Sequence, residues 1–118
     1  RYFHDETITR RWDIRTKDME YGRAIDTATS IRDAIRTKYG TNSEEYKGYT
    51  TSEDFELAKL QKLWRSKESR ETKLYKRIAA VERSKMLSNK AKEERVNELR
   101  ELIRLGRVRF IKTFEQRI

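Results

Sequence analysis

Residues 58–85 read AKLQKLWRSKESRETKLYKRIAAVERSK, and their spacing decides the fold. On a helical wheel at about 100° per residue, Leu60, Leu63, Trp64, Leu74, Tyr75, Ile78 and Val81 fall within an arc of about 120°. This is the apolar stripe of a helix that packs on other helices. The opposite arc holds Lys59, Lys62, Arg65, Arg70, Lys73, Lys76, Arg77 and Arg83, with Ala58, Ser66, Ser69, Ala80 and Ser84 between them and no acid. Thirteen positions drawn at random from this chain would carry about three cations and two acids. A face that merely solvates itself interleaves Glu with Lys. Eight cations at three- and four-residue steps repel one another, so the face calls for an anionic cover. Between the stripes, Arg65 to Lys73 contains no apolar side chain, and Lys67 and Glu71 sit on the apolar side. The helix is expected to bend, fray or project beyond its neighbours there.

The flanking segments repeat the helical period. Thr51 or Ser52 is the expected N-cap of the long helix, with Glu53 and Asp54 in the first turn where they complement the helix dipole. The helix should run to about Ser84. Ser88-Asn89 marks a joint before a last helix with Val96, Leu99, Leu102, Ile103, Phe110 and Phe114 on one side. Gly106 falls on that side too, which predicts a neighbouring helix crossing there. Upstream, Asp5 is the expected N-cap ahead of Ile8, Trp12 and Met19, with Trp12 in the core. Tyr21, Ile25, Ala28, Ile31, Ile35 and Tyr39 continue the period to a stop at Gly40. Gly22 is a possible break that would divide this segment in two. Residues 40–52 read as a loop, with two glycines, small polar residues and no apolar stripe. The result is one all-α domain over residues 1–118, an antiparallel helical bundle of four helices.

Composition excludes several function classes. The chain of 118 residues has no Cys, no Pro and one His, His4. Disulfides, thiolate metal sites, cysteine nucleophiles and His-based triads are therefore ruled out. The carboxylate pairs Glu44-Glu45, Glu53-Asp54 and Glu93-Glu94 have no base or ligand at useful spacing, and adjacent helical residues diverge by about 100°. No phosphate-cradling glycine loop or zinc-finger signature is present. No enzyme activity, cofactor or metal is expected. The longest apolar runs, such as Ile78 to Val81, are four residues, against about 20 for a transmembrane helix. Scarce Asn, Gln and Met beside abundant Lys, Arg and Glu match the balance of hyperthermophile proteins.

The formal net charge of +9 is unevenly placed: residues 1–58 carry 10 basic and 12 acidic side chains, and residues 59–118 carry 19 and 8. That asymmetry points to a polyanion. Besides the long helix, candidate nucleic-acid contacts are Arg100, Arg104 and Arg107 at i, i+4 and i+7, where Glu93, Glu98 and Glu101 can pair some of them, and Arg1, Arg10 and Arg11 among Tyr2, Phe3 and Trp12. Asn and Gln are absent from the basic arc, which fits phosphate contacts rather than base readout. A helical adaptor whose basic face docks an acidic protein or RNA is the alternative. Anionic lipid would require bulky apolar residues beside the cations, where the arc offers only Ala and Ser.

With arginines at its start, a basic face on a bundle, and neither proline nor cysteine, the chain resembles the major coat proteins of filamentous archaeal viruses of the lipothrixvirus type. The resemblance covers the whole chain in character and rests on the opening Arg1-Tyr2-Phe3-His4-Asp5-Glu6 and on Arg10-Arg11-Trp12. It implies a four-helix bundle with a basic N-terminal arm that wraps linear double-stranded DNA into a helical nucleocapsid. It also implies self-assembly, or assembly with a paralogous coat subunit, in a virion formed in the host cytoplasm. On this resemblance residues 1–12 are the root of the arm or the start of the first helix, and further arm residues precede Arg1. The acidic balance of the first half departs from a uniformly basic coat and leaves open whether that half meets DNA or a neighbouring subunit.

Overall fold

In the computed structural model, which describes the backbone of residues 2–117 and the side chains of residues 13–117, the first helix α1 spans Tyr2–Tyr39 without interruption. Gly22 does not divide it. A glycine in mid-helix costs about 1 kcal/mol against alanine, and here the missing Cβ makes room for another helix. A Cβ at position 22 would overlap the indole carbons Cζ2 and Cη2 of Trp64 and lie 2.7 Å from Cε2. Asp5, expected as the N-cap, lies within α1, so from Tyr2 onward the stretch assigned to an arm or a helix start is helix. Arg1 lies outside the described residues, as do the side chains of Arg10, Arg11 and Trp12. At the other end Gly40 adopts φ 85°, a left-handed turn that stops α1 as expected.

Residues 40–52 are not simply a loop. Ser43 accepts a hydrogen bond from the Tyr46 N–H at 3.1 Å and caps a short helix, α2 (Glu44–Tyr49). The buried Tyr49 ring anchors it, its hydroxyl donating to the Ala28 carbonyl of α1 at 2.8 Å. One anchoring ring leaves no periodic signal, which is why the helix was not legible. Ser52 then accepts from the Phe55 N–H at 3.4 Å and caps α3 (Glu53–Lys59). The long helix expected from there to Ser84 is jointed: Leu60, at φ −81° and ψ −1°, separates α3 from α4 (Gln61–Arg83). The joint is a single tight turn, in which the Leu60 N–H donates to the Leu57 carbonyl. With α3 and α4 counted as one jointed helix, the described residues form four helices, the number expected, but α1 stands undivided where two were expected and α2 stands where a loop was. The last helix, α5 (Asn89–Arg117), begins where Ser88 accepts from the Ala91 N–H at 3.2 Å. There is no strand among the described residues.

Two apolar clusters hold these helices in a plate with extents of 62 × 35 × 15 Å. The first forms where α1 crosses α4 and α5, and contains Ile25, Leu60, Trp64, Phe110, Ile111 and Phe114. Tyr21 stacks on Phe114 at 3.9 Å between centroids, and Trp64 tilts against Phe110 at 5.1 Å. The second joins Ile78 of α4 to Val96, Leu99 and Ile103 of α5. Burying each such side chain contributes roughly 1.5–3 kcal/mol. A plate this thin leaves some stripe positions uncovered: Met19, Ile31, Tyr39, Tyr75 and Leu102 are exposed. Nor does a helix cross at Gly106, where an added Cβ would meet open space. The close crossing is at Gly22.

Candidate nucleic-acid interface

The interruption at Lys67 and Glu71 is resolved inside the fold. Helix α4 runs through both residues unbroken, and Lys67 is only 2% exposed. Its ammonium donates to Asp18 of α1 at 2.6 Å, pairs with Glu71 at 3.1 Å and sits 4.1 Å from the Trp64 ring centroid. The Arg107 Nε donates to Glu71 Oε1 at 2.8 Å, and its Nη2 donates to the Tyr75 hydroxyl at 3.3 Å. Two cations and two carboxylates thus neutralise one another between α1, α4 and α5. Burial pushes the Asp18 carboxyl above its ordinary range, and the Lys67 hydrogen bond offsets only part of that push. Burial opposes the Arg107 charge, but Glu71 and Tyr75 outweigh it and hold the guanidinium pKa above its usual value. Arg107, expected on nucleic acid, is therefore engaged in holding three helices together.

The α4 arc is exposed as its spacing predicts. Lys59, Lys62, Arg65, Arg70, Lys73, Lys76, Arg77 and Arg83 all face solvent. Lys59 pairs with Glu56 at 3.1 Å and lies over the Phe55 ring. The other seven enter no ion pair among the described residues. From Lys62 to Arg83 the row extends about 32 Å at 1.5 Å per residue. Ala58, read as part of this arc, is buried instead; it belongs to α3, as does the exposed Lys59, and both precede the Leu60 joint. Beside Arg70, Lys73 and Arg77 a groove of about 350 Å³ runs between α4 and α5. Its wall includes Leu74, Leu102, Leu105 and Gly106, and Arg109 closes the far rim. Leu102 and Leu105, 50% and 44% exposed, place bulky apolar surface next to the cations, contrary to the expectation of Ala and Ser alone.

Arg100 and Arg104 are not part of this surface. They line a cleft of about 620 Å³ on the α1 side of α5, together with Arg15, Arg107, Asn97 and Tyr75. Arg104 is bound by Glu101, its Nε at 3.0 Å from Oε2, and this hydrogen bond raises its pKa. Arg15 and Arg100 are exposed and in no ion pair among the described residues. Arg15 and Arg109 were missed in the sequence. The available signals were the Arg11–Arg15 step of four on α1, and the step of seven from Leu102 to Arg109 on α5.

Among the described residues no cluster of His, Cys, Asp or Glu is arranged to hold a metal ion, and no helix is long and apolar enough to cross a membrane. Comparison with protein-family models, with curated proteins and with solved structures gives no match.

Proposed function

We propose that this chain is a structural, non-enzymatic DNA-binding protein that coats and compacts linear double-stranded DNA through phosphate contacts independent of sequence. The observation that carries the reading is the α4 face, with seven exposed cations, no acid and no ion pair among the described residues over about 32 Å, close to one turn of duplex. Such a row is electrostatically costly by itself and is relieved when phosphates replace the condensed counterions. The small residues Ser66, Ser69 and Ala80 between the cations permit close approach of a sugar-phosphate backbone. By its resemblance to the filamentous archaeal virus coats, the place of action on this reading is a virion, with self-assembly or a paralogous subunit completing the coat.

The test is a gel-shift titration with unrelated duplexes over a range of salt concentrations. Seven phosphate contacts give a slope of log K against log salt of about −6, with little dependence on sequence. Changing Arg70, Lys73 and Arg77 together to Glu should abolish the shift while leaving helicity by circular dichroism near wild type. Binding that is absent at low salt, that depends strongly on sequence, or that survives this variant sinks the reading.

The exposed Leu102 and Leu105 beside Arg70, Lys73, Arg77 and Arg109 favour a second reading. Apolar surface of this kind is of no use to a phosphate backbone and suits an acidic protein segment, as in an adaptor or a subunit contact.

A further inference from the structure

The α4 row and the arginines of the α1–α5 cleft lie on opposed sides of α5. Around α5, Arg100, Arg104 and Arg107 cluster within about 60°, whereas Leu102, Leu105 and Arg109 lie about 180° away. On α4 the centre of the basic arc is separated from Tyr75, which lines the arginine cleft, by about 150°. The cleft draws on α1 through Ile14 and Arg15, while the groove beside the α4 arc is lined by α4 and α5 alone. The plate between the two faces belongs to a molecule whose smallest extent is 15 Å.

We infer that the cleft between α1 and α5 is a second phosphate site, and that the protein bridges two duplexes, one on each face. The inference rests on the proposed reading of α4 as a DNA face. Among the described residues four arginines line the cleft, and Glu101 is the only acid beside them. Two of the four, Arg104 and Arg107, are held in place by Glu101 and Glu71. Ordered guanidiniums of this kind lose little freedom when they fork onto a phosphate. Arg15 and Arg100 supply the uncompensated charge. Tyr75 and Asn97 add neutral polar groups able to contact phosphate oxygens. From Arg100 to Arg107 the row runs about 10 Å, the axial length of three phosphate-to-phosphate steps on one strand. The ligand is a phosphodiester chain.

The experiment is retrieval of a labelled duplex by protein on a bead-bound duplex, run beside a single-duplex gel shift. Among the described residues the α4 row carries seven cations in no ion pair against two in the cleft, so the shift reads α4 and the retrieval reads the cleft. Changing Arg15 and Arg100 together to Ala should leave the shift within about twofold of wild type and lower retrieval at least roughly tenfold. Changing both to Lys should restore most of the retrieval. Sedimentation of the DNA-free double Ala variant should match wild type, as should its thermal melt. Retrieval by that variant at the wild-type level overturns the inference, as does a wild-type protein that shifts DNA but does not bridge it. A changed oligomeric state in the variant also overturns it, because the cleft would then be a subunit contact. If the Arg70, Lys73 and Arg77 variant retains the shift, it is the α4 reading that fails.

Discussion

Replacing Gly22 with Ala should destabilise this protein even though alanine is the better helix former. In an exposed helix the change gains about 1 kcal/mol. Here the new Cβ would overlap two carbons of the Trp64 ring and lie 2.7 Å from a third, where ordinary contact begins at 3.4 Å. The indole would have to retreat on the order of 1 Å, and it is wedged against Phe110 in the main apolar cluster. Overpacking of this kind costs about 1–3 kcal/mol. With several ring atoms involved the upper end applies, and the net loss is about 2 kcal/mol after the helix gain. For a domain of this size that lowers Tm by roughly 10 °C. The decisive assay is a double-mutant cycle by urea denaturation with Trp64→Ala. That variant alone should lose about 3–5 kcal/mol, but in its background Gly22→Ala should become stabilising by about 1 kcal/mol. A Gly22→Ala variant that is more stable than wild type with Trp64 present would refute the close crossing.

Three other perturbations test separate parts of the structure. Lys67→Met leaves Asp18 and Glu71 buried with Arg107 as their remaining cation, so stability at pH 7 should fall by about 3–5 kcal/mol. Asp18 already binds its proton more tightly folded than unfolded, and loss of the ammonium strengthens that preference. Its contribution is thus full at low pH and lost as pH rises through the folded value, so the deficit should narrow between neutrality and roughly pH 4. A deficit constant with pH in urea melts would show that the carboxylates are not the cause. Tyr49→Phe removes the hydroxyl bonded to the Ala28 carbonyl and should cost about 1 kcal/mol, read as a shift in urea midpoint at unchanged m-value. Changing Arg70, Lys73 and Arg77 to Ala, a milder change than reversal, should flatten the salt slope of DNA binding by about 2.7 if each contacts one phosphate. An unchanged slope would move the interface elsewhere.

The helical class, a cap at Thr51 or Ser52, the joint at Ser88-Asn89, the stop at Gly40 and the exposed α4 arc were legible because each depends on residues within one or two turns of one another. The ionic cluster was not. Lys67 and Asp18 are 49 positions apart, and Glu71 and Arg107 are 36 apart. On a single wheel a buried lysine looks like an interruption of the apolar stripe, because nothing local shows that a carboxylate from another helix will neutralise it. The same blindness placed a crossing at Gly106 and a break at Gly22, where the crossing is. Gly22 and Gly106 present the same local signal, a gap in a helical face, and only the path of Trp64 makes one of them a contact.

The candidate site divides along the same line. That α4 carries an uninterrupted row of cations follows from the order of its residues and the 3.6-residue period, since both act along one helix. The sequence grouped Arg107 with Arg100 and Arg104, and could not separate any of them from the α4 row. The structure engages Arg107 with Glu71 and Tyr75, binds Arg104 to Glu101, and sets Arg100 in a cleft that Arg15 also lines, on the side away from the arc. By itself, then, the sequence determined the helices, their apolar stripes and the surplus of positive charge after residue 58. Tertiary structure alone decided which charges are neutralised, which glycine receives a neighbour, and that the α4 row and the arginine cleft flank different sides of α5. Helical period is a property of neighbours along the chain, whereas burial and ion pairing depend on which faces of distant segments meet.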